Sequence, residues 1–426
     1  MHRPNPLHVA IAAVALAAGI AGAAGAARSP ATAWTRISGP TQPGLQLGLA
    51  RTADGVLHVI WNRGATNSSI SETRLSAAGR TLGTSAVASG WASNGGLALL
   101  AMPDRTLRLF ASGNDGIETV TAPAAGKSWT RQPVAGWGGP VAEASAVIGA
   151  TLTKDGQPVT AWRGTAAEGV PPGSIPQNAY EGGMGESFLA TDAATGAVIL
   201  SGETNAGQGG SYVQQILPSP GPKVVTPPLA KDWSVSSSGR VGAAGVYTAN
   251  ADGKSVRLSR YGGSSRTLVT GPYFSAALCA GPQGRLWVAW GDANGLFVTR
   301  TSQAAGALEP VQKLRSPSSN GLTFLQCEGS VGPLDLFADD GTGFWHTQVL
   351  ARFAVRTAVA RTKSGAKVTV SVRDAGDPVA AASVSIGGRR LKTGSSGTVT
   401  VTLRPGSYPV SVSAPAYVSA STSVHA

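Results

Sequence analysis

Leu49 to Gly64 reads LARTADGVLHVIWNRG: a short apolar run, a turn built on Asp54 and Gly55, then a second apolar run that ends at Trp61. Turn residues of this kind between two such runs mark a tight antiparallel hairpin. The phrase returns six times, as LLAMPDRTLRLFASG (Leu99 to Gly113), ATLTKDGQPVTAWRG (Ala150 to Gly164), LATDAATGAVILSGE (Leu189 to Glu203), VYTANADGKSVRLSRYG (Val246 to Gly262), ALCAGPQGRLWVAWGD (Ala277 to Asp292) and LQCEGSVGPLDLFADDG (Leu325 to Gly341). Units repeated at this spacing cannot bury their own apolar faces and stack on their neighbours instead.

The segments after each phrase supply two more strands. Gly116 to Trp137 gives a third strand, a turn at Ala124 to Gly126 and a fourth strand starting near Trp129, and the first and sixth copies repeat the plan. Four-stranded units in series read as the blades of a β-propeller, here seven. The third unit is the weakest, because Thr165 to Ser187 is rich in Pro and Gly and reads as a long loop. Six blades is the alternative. Ala33 to Pro40 (AWTRISGP) resembles the fourth strand Ser128 to Gly136, whereas the last unit stops at its third strand. The N-terminal segment is therefore expected to complete the last blade and close the ring, which removes two sheet edges.

Composition agrees with an all-β chain: rich in Gly, Ser, Thr, Val and Ala, only 13% charged, and without a long run of helical apolar spacing. Residues 1–27 read as a secretory signal peptide, with Arg3, an apolar stretch from Val9 to Ile20, and small residues that allow cleavage after Ala26 or Ala27. A retained anchor is the competing reading. No later stretch is long and apolar enough to span a membrane, so the expected domains are a propeller over 28–352 and a small module over 353–426.

An exported chain meets an oxidising compartment, where Cys279 and Cys327 can pair. Each stands five residues before a turn glycine, Gly284 and Gly332, which puts both on the innermost strands of neighbouring blades. Two buried free thiols is the alternative.

Past Arg361 the pattern becomes strict alternation: Val368, Val370, Val372; Val384, Ile386; Val399, Val401, Leu403; Val410, Val412, with turns at Gly376, Gly387-Gly388 and Pro405-Gly406. This is a small antiparallel sandwich. Its segments Asp374 to Val379, Ala382 to Ile386, Thr393 to Gly397, Leu403 to Tyr408 and Ala414 to Tyr417 resemble the carboxypeptidase regulatory-like, or bacterial Ig-like, family. The resemblance implies a non-catalytic spacer or adhesive domain. Net charge is +12, and from Phe353 onward nine Lys and Arg residues face only Asp374 and Asp377. A basic module on an exported protein points to acidic envelope polymers or anionic headgroups as partners, or serves only to keep the module soluble. No aromatic-plus-basic motif for nucleic acid is present.

Ala122 to Trp129 (APAAGKSW) resembles the Asp-box turn of sialidase-like propellers in Gly126, Ser128 and Trp129, with alanine in place of the serine and the aspartate; Ser302 to Glu309 keeps Ser302 and Gly306. Kinship with a sialidase would imply an arginine cluster, a Tyr nucleophile backed by Glu and an acid/base Asp. Tyr180 and Glu181 are neighbours in sequence, but on a strand they would point to opposite faces. His58 and His346 have no partner at metal or triad spacing and read as packed or surface residues. The acidic turns Asn114 to Gly116, Asn250 to Gly253 and Ala338 to Gly343 lack the alternating oxygen ligands of a calcium loop and read as turn chemistry. No metal or cofactor is implied.

In a propeller the second-to-third strand loops and the blade-to-blade loops open on one end, around the channel mouth. The former carry Asn62, Arg63, Asn114, Asp115, Arg163, Glu203, Asp292, Asp339 and Asp340, and the latter Trp91, Trp137, Trp233 and Tyr273. Amides, carboxylates and Arg beside aromatic rings bind sugars by hydrogen bonding and stacking; packing between blades is the other use of the same rings. The expectation is an exported, non-enzymatic binding or adhesion protein of the bacterial cell surface that recognises glycan or envelope polymer. The alternative is a sialidase-like glycoside hydrolase.

Overall fold

The computed structural model describes residues 33–41, 46–63, 69–89, 97–113, 116–123, 126, 128–133, 147–162, 187–203, 211–221, 224–225, 234–273, 275–292, 295–318, 322, 324–362 and 365–426. Apart from one 3-10 turn at Pro282–Gly284, their regular structure is all strand. Seven sheets follow one another along the chain, each a simple antiparallel meander. The first contains Gly48–Arg51, Leu57–Arg63, Ser69–Leu75 and Thr81–Ala88; the second Ala98–Ala101, Thr106–Gly113, Gly116–Pro123 and Thr130–Pro133. The third is described for Val147–Leu152 and Pro158–Trp162 only. The fourth has Ser187–Thr191, Val198–Glu203, Ser211–Leu217 and Val224–Val225; the fifth Ser234–Arg240, Ala243–Ala251, Ser255–Arg260 and Ser265–Thr270. The sixth has Ser275–Ala280, Leu286–Asp292, Gly295–Arg300 and Gln312–Leu314, and the seventh Phe324–Glu328, Leu334–Asp339 and Phe344–Val349.

The first strands of these sheets pack side by side in chain order. The series closes on itself where the Gln326 side chain bridges the backbone N–H and C=O of Leu47, both at 2.9 Å. Ser236 does the same between the fifth and sixth sheets, accepting from Leu278 N–H at 3.0 Å and donating to its C=O at 3.3 Å. Backbone groups that no ladder reaches are thus satisfied by side chains. The second strands are covered on both faces: Leu57 through Asn62 and Leu334 through Asp339 are buried without interruption. Their hairpin turns need a left-handed residue, and Gly156 supplies it at φ +77°, where a Cβ would come within 2.7 Å of Pro103.

The seventh sheet takes its fourth strand from the N-terminal segment. Thr35 pairs with His346 and Arg36 with Trp345. Ile37 donates to Phe344 at 3.0 Å and is buried with Trp61, Phe324, Phe337 and Phe344, while the Trp34 indole donates to Arg315 C=O at 2.7 Å. Cys279 and Cys327 are joined by a disulfide across adjacent first strands, with Cα atoms 5.8 Å apart and a sequence separation of 48. Closing a loop of that length contributes about 4 kcal/mol in the chain-entropy description.

The fifth repeat departs from expectation. Val246 to Gly262 is the hairpin of the second and third strands, and the first strand is Ser234–Arg240, SVSSSGR. Serines replace the apolar signature there because this strand faces the axis and uses Ser236 to bond the sixth sheet.

Residues 354–425 form two further four-stranded sheets, one of Ala354–Thr362, Gly365–Asp374, Asp377–Pro378 and Thr398–Leu403, the other of Arg389–Lys392, Ser383–Ile386, Ser407–Ser413 and Ala420–His425. The alternating side chains Val368, Val370, Val372, Val384, Ile386, Val410 and Val412 fill the core between them.

Candidate functional site

An antiparallel meander places its first-to-second and third-to-fourth turns at one end of each sheet and its second-to-third turn at the other. Asn62, Arg63, Glu203, Asp292, Asp339 and Asp340 all stand where a second strand ends, so they share the latter end. The corrected register of the fifth sheet adds Asn250 and Asp252 to the same rim. Sequence reading missed them there because it assigned their hairpin to the wrong pair of strands.

The side chains on this rim differ in availability. Arg63 is exposed and Asn62 is 5% exposed. Asp339 is fully buried and accepts from Gly341 N–H at 2.9 Å; Asp340 accepts from Thr342 through its N–H at 2.9 Å and its hydroxyl at 2.7 Å. Burial opposes ionisation of Asp340, but hydrogen bonds from Thr342 and Ser318 outweigh it and hold the carboxyl below its ordinary range. Asp252 accepts from Lys254 N–H at 2.9 Å and Ser255 N–H at 2.6 Å. These carboxylates fold the turns that display the rim. Tyr273 is half-buried and lies edge-on to Trp290 at 6.4 Å and to Phe297 at 5.8 Å, a packing contact. Glu203 and Asp292 are placed by backbone pairing, to Ser211 and Gly295. Trp91, Asn114, Asp115, Trp137, Arg163 and Trp233 lie outside the described residues, as do Tyr180 and Glu181.

Inside the ring of first strands runs a cavity of about 210 Å³, open to solvent. Leu47, Leu99, Phe188 and Leu278 line it with Ser237, Gln326 and the disulfide. Its wall mixes apolar surface with hydroxyl and amide groups, the composition of a small-ligand recess.

The opposite end holds buried carboxylates paired with His and Arg. His58 Nδ1 lies 2.5 Å from the Glu72 carboxylate, both fully buried, with Ser85 donating to Glu72 at 3.2 Å. Gly126, from the turn resembling an Asp-box, packs so closely on Glu72 that a Cβ would come within 2.6 Å of the carboxylate. Arg51 pairs with Asp335 and, at 2.6 Å, with Glu328, and His346 meets Asp335 at 2.8 Å. His58 and His346 are therefore interior partners of carboxylates, invisible to local spacing because Glu72 and Asp335 sit on other strands. Solvent-excluded pairs of this kind carry structure, since no substrate reaches them.

The C-terminal sheets dock on that same end. Asp374, fully buried, sits 2.5 Å from Arg300 and 3.0 Å from Arg285, accepts from the Tyr417 hydroxyl at 2.8 Å, and lies near Glu309. Asp377 accepts from Arg285 at 3.0 Å and from Gln303 N–H at 2.6 Å. Burial, reinforced by Asp374, lifts Glu309 to about 9 although Arg300 is 3.4 Å away. Burial likewise lifts Tyr417 to about 12, so its phenol remains a donor. With Glu309 neutral, two arginines face two aspartates and the junction balances its charge. Among the described residues no group of three or more His, Cys, Asp or Glu side chains is placed to hold a metal ion, and no helix is long and apolar enough to cross a membrane.

These features define an all-β protein of propeller-like architecture. No family model matches the chain, and no curated protein matches it in sequence. Solved structures do resemble it. A lectin from Burkholderia pseudomallei superposes with a TM-score of 0.50 at 15% identity, covering 72% of this chain and 95% of the lectin. A fucose-specific lectin from Aleuria aurantia gives 0.41 at 14% identity over 80% of this chain and 99% of its own. A Hadza microbial sialidase gives 0.42 at 10% identity over 74% of this chain and 65% of the sialidase. Likeness at such identities concerns the fold alone.

Proposed function

We propose that this chain is an exported, non-enzymatic binding protein of the bacterial cell surface that recognises glycan through the end of the ring bearing the second-strand rim and the channel mouth. The observation that carries this reading is the division of labour between the two ends. The buried acids paired with Arg and His, the side chains a hydrolase would need free, are locked into the end on which the C-terminal sheets dock. The rim at the other end is built from turns that carboxylates fold internally, and it presents Arg63 to solvent. A lectin among the structural relatives agrees with this use of the fold. Export is supported by the leader-like N-terminus and by a disulfide of the kind that persists in an oxidising compartment.

The test is a glycan array with the full chain, run beside fluorogenic glycosides. Binding without turnover is expected, and Arg63→Ala should weaken it about tenfold, the size of one lost charged hydrogen bond, with no change in Tm. Turnover of any glycoside would favour the sialidase-like hydrolase instead.

A further inference from the structure

Phe353 to Ala426 contains two acids, Asp374 and Asp377, and both are engaged by Arg285 and Arg300 of the sixth sheet. Every exposed ionic side chain of the two C-terminal sheets is therefore cationic among the described residues: Arg356, Arg361, Lys367, Arg389, Arg390, Lys392 and Arg404. Docking leaves the module a surface of one sign.

Strand register arranges part of that surface. On the sheet that starts with Arg389–Lys392, the buried positions Val384, Ile386, Val410, Val412 and Val424 alternate with an outward face. Lys392 pairs with Ser383, which pairs with Ser413. Arg390 pairs with Ser385, Ser385 with Ser411, and Ser411 with Ser421. Two parallel rows result, each beginning with a cation on the edge strand and continuing across the sheet as hydroxyls. Neighbours within a row are about 4.8 Å apart and the rows about 7 Å apart, as strand spacing and the two-residue repeat dictate.

We propose that this cation-and-serine face binds an anionic polysaccharide, with carboxylates on Lys392 and Arg390 and sugar hydroxyls on the serine rows. Each serine hydroxyl both donates and accepts, which matches the alternating character of a sugar's hydroxyls. Short side chains keep the face flat enough for an extended chain to lie across several strands. Apart from His425 at the far edge, opposite Ser407, the face carries no aromatic or long aliphatic side chain to enter a bilayer or to stack on a base, which disfavours lipid and nucleic acid.

The experiment measures binding of polygalacturonate to the full chain over a series of salt concentrations, with phosphatidylglycerol vesicles and duplex DNA as comparators. Affinity should fall as salt rises, as counterion release requires. The double variant R390E/K392E should lose about tenfold or more, while R356E/K367E, which changes net charge equally on the other sheet, should stay within about twofold. S385L/S411L, which leaves the charge untouched, should weaken polygalacturonate as well. Should R390E/K392E lower the Tm, R390Q/K392Q takes its place. Equal losses in the two charge variants, tighter binding to vesicles or DNA than to polygalacturonate, or no binding of polygalacturonate would each overturn the proposal.

Discussion

Glu309 stands 3.4 Å from Arg300, a distance that would ordinarily favour its carboxylate, yet burial and the neighbouring Asp374 carry it up to about 9 from an ordinary 4.5. The folded chain therefore holds a proton here that the unfolded chain releases once pH exceeds its ordinary carboxylate range. Between those two values the folded state binds more protons, so this residue's contribution to stability falls as pH rises through the window and levels off above about 9. Glu309→Gln keeps the neutral shape and removes the titration. Melting curves should coincide near the acid end of the window and separate toward its alkaline end, with the variant the more stable there. A wild type that gains on the variant as pH rises would refute the assignment. The same cluster shows why residue pairs escaped sequence reading: Arg300 and Asp374 are 74 positions apart, and the segment that begins at Asp374 says nothing of a partner on another sheet. Cys279 and Cys327 were legible because they occupy matching positions in two copies of a repeat, which converts sequence spacing into adjacency.

At the level of elements, the strand that closes the ring is short, and side chains rather than ladder bonds hold it. Among the described residues Thr35 and Arg36 pair with the seventh sheet and Ile37 N–H adds one bond to Phe344, while the Ile37 side chain is 5% exposed among Trp61 and three phenylalanines. Ile37→Ala should cost about 3 kcal/mol, the usual price of a large-to-small change in a packed core, read as a shift of the urea midpoint. A loss below about 0.5 kcal/mol would mean that closure does not depend on this contact. Closure could be anticipated because AWTRISGP resembles an internal fourth strand. The fifth sheet could not be registered the same way. Its first strand, SVSSSGR, has neither the alternation nor the β-branched content of its counterparts, so the hairpin after it took the place of the one before. A strand whose inner face lines a polar channel carries little of the apolar pattern by which strands are recognised. The alternating valines of the C-terminal sheets carry all of it, since each strand there buries one face and exposes the other.

For the whole molecule, the junction makes one unit of what reads in sequence as a propeller with an appendage. Asp374, fully buried, holds Arg285, Arg300 and Tyr417, and the Arg300 guanidinium stacks between the Trp287 and Tyr417 rings at 4.8 and 5.2 Å. Backbone bonds add to the seam where Ala351 N–H donates to Ala416 C=O at 3.1 Å and Val418 N–H to Ala351 C=O at 2.8 Å. Removing the acid would leave the buried Arg300 facing only the neutral Glu309 and Arg285 held by Asp377 alone, a loss of about 3–5 kcal/mol, well above that of an exposed pair. Asp374→Ala is therefore expected to split a single calorimetric transition into two, with the C-terminal sheets and the ring melting separately, and to open the segment near Phe353 to protease. Replacing Arg285, Arg300 and Asp374 together by apolar residues of similar volume should restore one transition, because no fully buried charge is then left unpaired: Asp377 is partly exposed and keeps the Gln303 N–H. Two transitions in the unaltered chain, or one in Asp374→Ala with unchanged cleavage, would show that the seam holds without these charges.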